Sequence, residues 1–306
     1  MRIVILAGGY ATRLWPLTQD RAKPLLPVAG KPIIEYIFTK LPAELGRPLL
    51  STNARFAPDF KRWGEERGVE FELIVEPTRS EAEKLGTIGA LRFLVEERGI
   101  NEDLLVIGGD NLFEFELQEM IATYHGRPLL ALHELKDPER VRGRYGVAVV
   151  RDGWIAEFQE KPEEPRSTLV STACYLYPAE VLPLFGEFLA AAPRGHDATG
   201  YFNQWLLEKG LELEAFIFTE PWYDIGDRES YIQANLDYAG TDPVISPAAQ
   251  VEDSSIRHSV VLAGARVRNS LLEGCVVGEE AELVGVELRD CLIGHRATLR
   301  GERERR

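Results

Sequence analysis

The sequence predicts an α/β protein in which an open, mainly parallel sheet is followed by a short β-helix. Three observations lead to this prediction: a buried strand that ends in two glycines near the N-terminus, strands that alternate with helices up to residue 110, and a 16-residue repeat beyond residue 240. Alternating strands and helices are typical of βαβ units, whose strands run parallel. A fixed short period is typical of coils that stack along an axis.

The first strand is predicted at residues 3–7, where apolar and largely β-branched residues run without interruption up to Gly8 and Gly9. Such a run indicates a strand that is buried on both faces, as in a parallel sheet. Ligands of these sheets bind beyond the carboxyl ends of the strands, so the residues after each strand are the first candidates for a site. The same patterns predict strands at 48–52, 71–75 and 104–107, and helices at 32–40, 58–67 and 87–97.

Residues 129–218 are richer in strand patterns, and we expect them to extend the sheet and to close over a substrate. Beyond residue 240, apolar positions step by roughly five or six residues, the rung spacing of a triangular β-helix. We therefore expect two domains, residues 1–240 and a hexapeptide-like β-helix at 241–306. One of four apolar columns consists of Ala249, Ala265, Ala281 and Ala297. The other three are Ile245, Val261, Val277 and Ile293; Val251, Val267, Leu283 and Leu299; and Ile256, Leu272 and Leu288.

Composition excludes several classes of protein. A net charge of −14 argues against nucleic-acid binding, because neutralising a phosphate backbone needs a dense basic surface. No apolar stretch approaches the ~18 residues that span a bilayer, and the N-terminal apolar run is too short for an export signal. The three cysteines, Cys174, Cys275 and Cys291, lack metal-ligand spacing and are interpreted as reduced packing residues. We expect a cytoplasmic protein with no nucleic-acid and no membrane partner.

The most informative segment begins at Leu6 and continues through Gly8 and Gly9 to Arg13. Glycines after a buried strand let backbone N–H groups approach phosphate oxygens closely. Arg13 inside the loop and Lys23 ten residues later would bring two cations near the end of one strand. The segment is neither a Walker loop nor a Gly-x-Gly-x-x-Gly dinucleotide pattern, and we interpret it as a different kind of phosphate site.

This segment resembles the opening motif of the sugar-1-phosphate nucleotidylyltransferases, or sugar-nucleotide pyrophosphorylases, which reads Leu-x-Gly-Gly-x-Gly-Thr-Arg-Leu followed by Lys-Pro-Leu-Leu-Pro. The likeness is carried by residues 6–14 and 23–27, with Ala11 in place of the third glycine. It implies the Rossmann-like fold of the nucleotide-diphospho-sugar transferases, which in several branches carries a C-terminal left-handed β-helix.

The resemblance assigns roles to these residues. Leu6, Gly8 and Gly9 would contact the nucleotide. Arg13 and Lys23 would bind the triphosphate, and Arg13 would stabilise the charge that develops at the α-phosphorus. An isolated lysine before a proline would instead be interpreted as a surface residue.

Candidate metal ligands are aspartates that follow strands. Asp110 comes after the predicted strand 104–107, a position that suits a Mg²⁺ ligand, although a strand-end aspartate can also simply form a turn. Asp227 has a local explanation as the N-cap of a helix that begins at Arg228, whereas Asp224 has none. In the resembling family a Trp-x-Asp-x-Gly segment supplies the second metal aspartate, so the resemblance implies Asp110 and Asp224 as the Mg²⁺ pair.

Two further groups of residues are assigned by the resemblance. Gly86, Thr87 and Gly89 lie at the start of the predicted helix 87–97 and would lie against the base, although loop glycines can also form a plain turn. The sugar phosphate would be held by residues of three short segments: Tyr145 and Gly146, then Glu160 and Lys161 of a Glu-Lys-Pro motif, and Thr172. Thr172 and Cys174 depart from the Asn-Ala-Gly-Ile-Tyr of many relatives, which leaves the sugar open.

The implied reaction is a single in-line displacement in which a sugar-1-phosphate oxygen attacks the α-phosphorus and pyrophosphate leaves. Arg13, Lys23 and Lys161 would be the catalytic residues, acting with Mg²⁺ by positioning and charge stabilisation. The Gly86 segment is more similar to mannose-1-phosphate guanylyltransferases and β-helix-bearing glucose-1-phosphate thymidylyltransferases than to short thymidylyltransferases.

Two alternatives come from other classes. A non-catalytic relative that senses nucleotide sugars would be expected to lack the loop arginine or a metal carboxylate, and both are present here. An acyltransferase with a β-helix needs a catalytic histidine on long coils, whereas His258 and His295 are scattered on a short stack. We expect the β-helix to mediate homo-oligomer contacts instead.

Overall fold

The computed structural model describes residues 1–191 and 198–301, which pack as two compact units. Of these described residues, the first unit contains those at 1–9 and 37–222, and the second contains those at 10–36 and 223–301. The segment 10–36 therefore groups with the C-terminal part of the chain, although it directly follows the first strand. The expected domain boundary between residues 240 and 241 stays a prediction.

The strands of the first 224 residues are mostly short and apolar. Their bounds are β1 Arg2–Leu6, β2 Pro27–Val28, β3 Lys31–Pro32, β4 Leu49–Asn53, β5 Glu72–Glu76, β6 Leu104–Gly108, β7 Asn111–Phe113, β8 Leu129–Glu134, β9 Gly146–Arg151, β10 Trp154–Glu160, β11 Leu169–Tyr177, β12 Glu214–Phe218 and β13 Trp222–Asp224. The strands predicted near 48–52, 71–75 and 104–107 are thus confirmed to within one residue at each end.

Within the described residues of the first unit, nine strands form one sheet in the order β5-β4-β1-β6-β11-β8-β12-β10-β9. The first four of these run parallel, whereas β11 is antiparallel to both of its neighbours. The predicted open α/β sheet is confirmed, and its antiparallel strands come from the β-rich region that was expected to extend it. Ile3, Val4 and Ile5 are fully buried, as the uninterrupted apolar run predicts for a central strand.

The first three helices lie in the connections between the early strands, and the other helices follow later in the chain. Their bounds are α1 Ile33–Lys40, α2 Ala57–Arg67, α3 Gly86–Arg98, α4 Leu117–Ala122, α5 Pro138–Val141, α6 Leu184–Ala191, α7 Thr199–Glu208 and α8 Arg228–Ala239. The helices α2 and α3 end where Gly68 and Gly99 take left-handed conformations, which glycine adopts at little cost. Among the described residues we find no helix with both the length and the apolar character of a membrane span.

The β-helix lies in the second unit and is built from short parallel strands. These are β14 Val244–Ile245, β15 Gln250–Glu252, β16 Ser255–Arg257, β17 Val260–Val261, β18 Arg266–Arg268, β19 Leu271–Glu273, β20 Val276–Val277, β21 Glu282–Val284, β22 Glu287–Arg289, β23 Leu292–Ile293 and β24 Thr298–Arg300. They form three parallel sheets in which each residue pairs with the residue 16 positions later, consistent with the predicted left-handed β-helix. This register confirms the columns that begin at Ile245, Val251 and Ile256.

Candidate active site

In the first unit, β1 is followed by Gly8 and Gly9, which have different surroundings. The N–H of Gly109 donates to the Leu6 carbonyl at 2.8 Å, and Nδ2 of Asn53 donates to the Gly8 carbonyl at 3.0 Å. A Cβ on Gly8 would overlap the carboxyl group of Glu76. A Cβ on Gly9, in contrast, would have no described atom within 4 Å. Gly8 is therefore required for packing, whereas Gly9 has open space beside its backbone.

Glu76 is a buried carboxyl group that the sequence patterns did not reveal. It ends β5, is 4% exposed and accepts a hydrogen bond from Oγ of Ser51 at 2.9 Å. Burial raises the pKa of Glu76, and the Ser51 hydrogen bond partly offsets the effect. A glutamate at the end of an apolar strand was the available signal, but only the three-dimensional structure brings it beneath Gly8.

Gly86, Thr87 and Gly89 lie in the first turn of α3. Gly86 is the first helical residue and has a φ of +71°, a left-handed value that explains why glycine occupies this position. A Cβ on Gly89 would lie 3.2 Å from Cβ of Leu85, so this position is also tight. Among the described residues, no side chain makes a capping hydrogen bond at this end of α3. The N–H groups of a helix N-terminus favour an electronegative partner.

Asp110 follows β6, next to the end of β1, because Leu6 pairs with Gly108 in the parallel register. Its Oδ1 accepts a hydrogen bond from Nδ2 of Asn111 at 2.8 Å. Nε1 of Trp222 in turn donates to Oδ1 of Asn111 at 2.8 Å. The carboxylate is therefore oriented by a chain of two hydrogen bonds at the carboxyl edge of the parallel strands.

The predicted sugar-phosphate residues meet where β9 and β10 pair. Gly146 lies opposite Glu160 in the antiparallel register, and the N–H of Lys161 donates to the Tyr145 carbonyl at 3.1 Å. Nζ of Lys161 is 3.8 Å from Oε1 of Glu160. The Lys161 side chain is 53% exposed and that of Glu160 only 8%. Burial raises the pKa of Glu160, and the charge of Lys161 partly offsets the effect.

Three residues from other elements complete this group. Gly200 in α7 has no room for a Cβ because the Glu160 carboxylate occupies that space. Oη of Tyr175 is 3.1 Å from Oγ1 of Thr199, at the start of the same helix. Sequence reasoning missed all three residues. A Thr-Gly pair that opens a helix was the available signal.

Thr172 is placed differently from the other predicted sugar-phosphate residues. It is 2% exposed, and its Oγ1 donates to the Ala131 carbonyl in the neighbouring strand at 3.0 Å. Its hydroxyl thus serves the pairing of β11 with β8. The predicted contact of Thr172 with a sugar phosphate stays a prediction.

The two predicted triphosphate cations belong to the second unit. Arg13 is exposed in a 3₁₀ turn at Thr12–Leu14, and Lys23 begins another at Lys23–Leu25. Before the first turn, Ala11 has a φ of 49° and a ψ of 45°, the left-handed conformation for which the family's glycine is suited. Oγ1 of the buried Thr18 donates to the Ala11 carbonyl at 2.8 Å and closes this loop.

Helix α8 makes hydrogen bonds to the backbone of the residues that follow Lys23. Oη of Tyr231 donates to the Pro27 carbonyl at 2.5 Å, and the N–H of Ala29 donates to Oδ1 of Asn235 at 3.0 Å. Both helix residues are fully buried. The backbone after Lys23 is therefore fixed by specific hydrogen bonds within the second unit.

Asp224 and Asp227 behave differently, as the sequence indicates. Oδ1 of Asp227 accepts from the N–H of Ser230 at 2.9 Å in a capping box, which confirms its predicted role as the N-cap of α8. Asp224 is partly buried, and its carbonyl accepts from the N–H of Gly226 at 2.8 Å. Its carboxylate is not needed to cap the helix.

A fully protein-built metal centre is not found among the described residues, since no three His, Cys, Asp or Glu side chains cluster suitably. Mg²⁺ usually binds one or two carboxylates and completes its shell with phosphate oxygens and water. The oriented carboxylate of Asp110 fits that requirement.

Comparison with known proteins gives matches over most of the chain. A sequence model described as nucleotidyl transferase matches residues 2–241. Glucose-1-phosphate thymidylyltransferase of Neisseria meningitidis is 31% identical over 246 residues, which cover 76% of this chain and 81% of that protein. A candidate glucose-1-phosphate thymidylyltransferase of Bacillus anthracis, solved with a sucrose, has a TM-score of 0.65 and 30% identity over 79% of this chain and 96% of its own.

Other relatives are longer. Glucose-1-phosphate adenylyltransferase of Rhodopirellula baltica is 30% identical over 277 residues, which cover 79% of this chain and 61% of that protein. Bifunctional protein GlmU of Methanocaldococcus jannaschii is 28% identical over 249 residues, which cover 79% of this chain and 56% of that protein. The chain therefore spans less than two thirds of the length of several relatives that it matches.

Proposed function

The chain belongs to the nucleotidyl transferase family, and on that premise we propose that it transfers a nucleotidyl group from a nucleoside triphosphate to a hexose 1-phosphate. The products are a nucleoside diphosphate sugar and pyrophosphate. The observation that carries the proposal is the pair of neighbouring parallel strands β1 and β6. The open backbone of Gly9 follows one of them, and the oriented carboxylate of Asp110 follows the other.

The triphosphate would be bound by backbone N–H groups and cations. Gly9 offers space for a phosphate oxygen to approach its N–H, and Gly8 allows the chain to pass over Glu76. Arg13 and Lys23 would neutralise phosphate charge, with Arg13 acting at the α-phosphorus as negative charge develops there. Leu6 would border the nucleotide at the end of β1.

The base would lie at the first turn of α3. Gly86 and Gly89 keep this surface free of side chains, and the uncapped N–H groups offer donors to base oxygens or nitrogens. Thr87 would contribute a hydroxyl group beside these two glycines. The thymidylyl and guanylyl reactions are the first to test for the identity of the base.

The sugar 1-phosphate would bind where β9 meets β10. The exposed ammonium group of Lys161 would pair with its phosphate, while the buried Glu160 carboxylate would accept hydrogen bonds from sugar hydroxyls. The backbone of Gly146 and the side chain of Tyr145 would border the same sugar. Holding the phosphate oxygen in line with the α-phosphorus supplies the main catalytic effect, because no covalent enzyme intermediate is required.

Asp110 and Asp224 would provide carboxylates for Mg²⁺. When bound, the ion supplies charge neutralisation at the phosphate oxygens.

We further propose a cytoplasmic location and a homo-oligomer. The homo-oligomer is supported by large apolar side chains that are exposed on the β-helix. Ile245 is 39% exposed and Leu271 is 51% exposed.

The experiment that tests the proposal measures pyrophosphate release with Mg²⁺ for GTP, dTTP, UTP, ATP and CTP, each paired with the 1-phosphates of glucose, mannose, galactose and N-acetylglucosamine. We expect strong release for one pair, with dTTP and glucose 1-phosphate or GTP and mannose 1-phosphate as the first candidates. Folded protein that releases no pyrophosphate with any pair would contradict the proposal and favour a regulatory relative that only binds nucleotide sugars.

A further inference from the structure

Within the second unit, the β-helix contacts the stretch of chain between Arg13 and Lys23. Both Nη atoms of Arg21 donate to the two carboxylate oxygens of Glu279, at 2.7 and 2.6 Å. This bidentate pair is about three-quarters buried, since the side chains are 28% and 29% exposed. The hydrogen bond from Arg21 is also the main reason why the pKa of Glu279 is lowered. A planar fork of this kind fixes direction as well as distance.

His295 makes a second connection to the same stretch. Its Nδ1 accepts from the N–H of Glu279 at 3.0 Å, and its Nε2 lies 3.1 Å from the Leu17 carbonyl. A backbone N–H can only donate and a carbonyl can only accept, so both bonds require the neutral tautomer with its hydrogen on Nε2. Burial, followed by the charge of Arg21, lowers the pKa of His295 and favours this neutral form.

A third connection is steric. A Cβ on Gly294 would lie 3.1 and 3.2 Å from Cγ and Cβ of Pro16, closer than an ordinary contact. The β-helix backbone therefore packs directly on this proline. Pro16 and Leu17 thus contact one turn of the β-helix, and Arg21 contacts the preceding turn.

We propose that Glu279 and His295 are positioning residues, through which the β-helix sets the placement of the two cations that bind the triphosphate. Arg21 is two residues from Lys23, and Leu17 is four residues from Arg13. The Thr18–Ala11 hydrogen bond closes the loop between them, so a displacement at Leu17 is transmitted to Arg13. The inference rests on the proposed function for the ligand of Arg13 and Lys23.

A purely structural role for the β-helix makes a different prediction. Loss of one contact would then lower stability without changing one Michaelis constant selectively. Positioning instead predicts that the KM for the nucleoside triphosphate rises while the KM for the sugar 1-phosphate is unchanged. The KM for the nucleoside triphosphate and the KM for the sugar 1-phosphate therefore distinguish positioning from a purely structural role.

The kinetic test uses Arg21→Gln, Glu279→Gln and the double variant, with the best substrate pair. We expect each single variant to raise the KM for the nucleoside triphosphate roughly fivefold, the scale for a modest ion pair. The KM for the sugar 1-phosphate should stay within about twofold, and the double variant should be no worse than either single one. Arg21→Glu combined with Glu279→Arg should recover most of the loss, whereas a folded variant that recovers none would overturn the pairing.

The matched control is Asp290→Asn. Asp290 also lies on the β-helix and is paired with Arg228, at 2.9 Å, but Arg228 belongs to α8 instead of the stretch 16–21. This variant should have the kinetic constants of the unmodified protein. An equal rise of the KM for the nucleoside triphosphate in Asp290→Asn and Glu279→Gln would overturn the proposal, because it would indicate general loosening.

Hydrogen exchange measured by mass spectrometry tests positioning without relying on activity. Amides in peptides covering residues 10–23 should exchange faster in Glu279→Gln than in the unmodified chain or in Asp290→Asn. Unchanged exchange in Glu279→Gln would overturn the proposal. If no substrate pair is turned over, the proposed function fails, and the exchange result alone decides whether the β-helix positions this segment.

Discussion

The carboxylate of Glu160 lies against the backbone of Gly200, in space that any side chain on that residue would need. On the opposite strand, a Cβ on Gly146 would lie 2.9 Å from the same carboxylate. Two glycines from separate elements therefore form a slot for one buried carboxyl group. The slot explains how a glutamate in an exposed-looking Glu-Lys-Pro segment becomes 92% buried, since its side chain is only 8% exposed.

Gly200→Ala is expected to displace Glu160 and to impair sugar binding. The overlapping atoms are at the flexible end of Glu160, so the protein should fold, and alanine favours the helix. We expect the KM for the sugar 1-phosphate to rise about tenfold, the cost of losing hydrogen bonds to a charged group. Gly186→Ala in α6 is the control, because its Cβ would meet only ordinary contacts with Arg92. Equal kinetics for the two variants would refute this role for Glu160.

Gly8→Ala and Gly9→Ala should have opposite consequences for stability and binding. A methyl group on Gly8 must push the buried Glu76 away from Ser51, so we expect a loss of about 1–3 kcal/mol in the free energy of unfolding. Gly9→Ala should leave stability within about 0.5 kcal/mol but raise the KM for the nucleoside triphosphate. Denaturant unfolding and steady-state kinetics measure the two effects. A Gly9→Ala enzyme with unchanged KM would remove Gly9 from the phosphate site.

The contribution of His295 to stability should decrease in acid. The pKa of this histidine is lowered in the folded protein below its ordinary value of 6.5, so the unfolded chain takes up the proton first. Its stabilising effect is complete above pH 6.5 and is lost as the pH falls through the folded pKa. The free-energy difference between the unmodified protein and His295→Gln should therefore shrink from about pH 7.5 to about pH 5. A difference that is constant or larger in acid would contradict the neutral tautomer.

Ala11→Gly should stabilise the protein. Ala11 has a left-handed backbone, which costs a residue with a Cβ about 1–2 kcal/mol, while glycine adds up to about 1 kcal/mol of unfolded-state entropy. We expect a net gain of up to about 1 kcal/mol, measured by denaturant unfolding. A clear loss of stability would show that the methyl group of Ala11 makes contacts worth more than the strain.

Asp110→Asn should abolish Mg²⁺-dependent turnover while preserving the fold. Asparagine keeps the size of the side chain and a hydrogen-bond acceptor for Asn111, but it removes the charge that a metal ligand needs. We expect kcat to fall at least about 100-fold and the Mg²⁺ requirement to shift to higher concentration. Asp152→Asn, an exposed residue in the β9–β10 turn, is the control. Retained turnover in Asp110→Asn would eliminate this residue as a ligand.

Local sequence patterns predicted much of the fold. The apolar run at residues 3–7 identified a central strand because its burial requires uninterrupted apolar residues. The 16-residue columns identified the register of the β-helix because each turn repeats the same environment. Asp227 was identified as a helix cap because its partner Ser230 is only three residues away.

The missed residues depend on contacts between distant parts of the sequence. Arg21 and Glu279 are 258 positions apart, and no local pattern distinguishes them from other surface charges. Glu76 looks like an ordinary strand-end glutamate, and it lies against Gly8 of another element. Glu160 was assigned by the resemblance, but its burial against Gly146 and Gly200 has no local signal. The same limit applies to Thr172, whose hydroxyl is used by the neighbouring strand.

The most direct test of the central claim follows the phosphorus atoms of the triphosphate. The protein is incubated with Mg²⁺, the best sugar 1-phosphate and triphosphate that is radiolabelled at either the α- or the γ-position. Nucleotidyl transfer predicts that the α-label appears in a phosphatase-resistant nucleoside diphosphate sugar, and that the γ-label appears only in pyrophosphate. A γ-label on the sugar or in inorganic phosphate, or an α-label that stays in free nucleotide, would contradict the account.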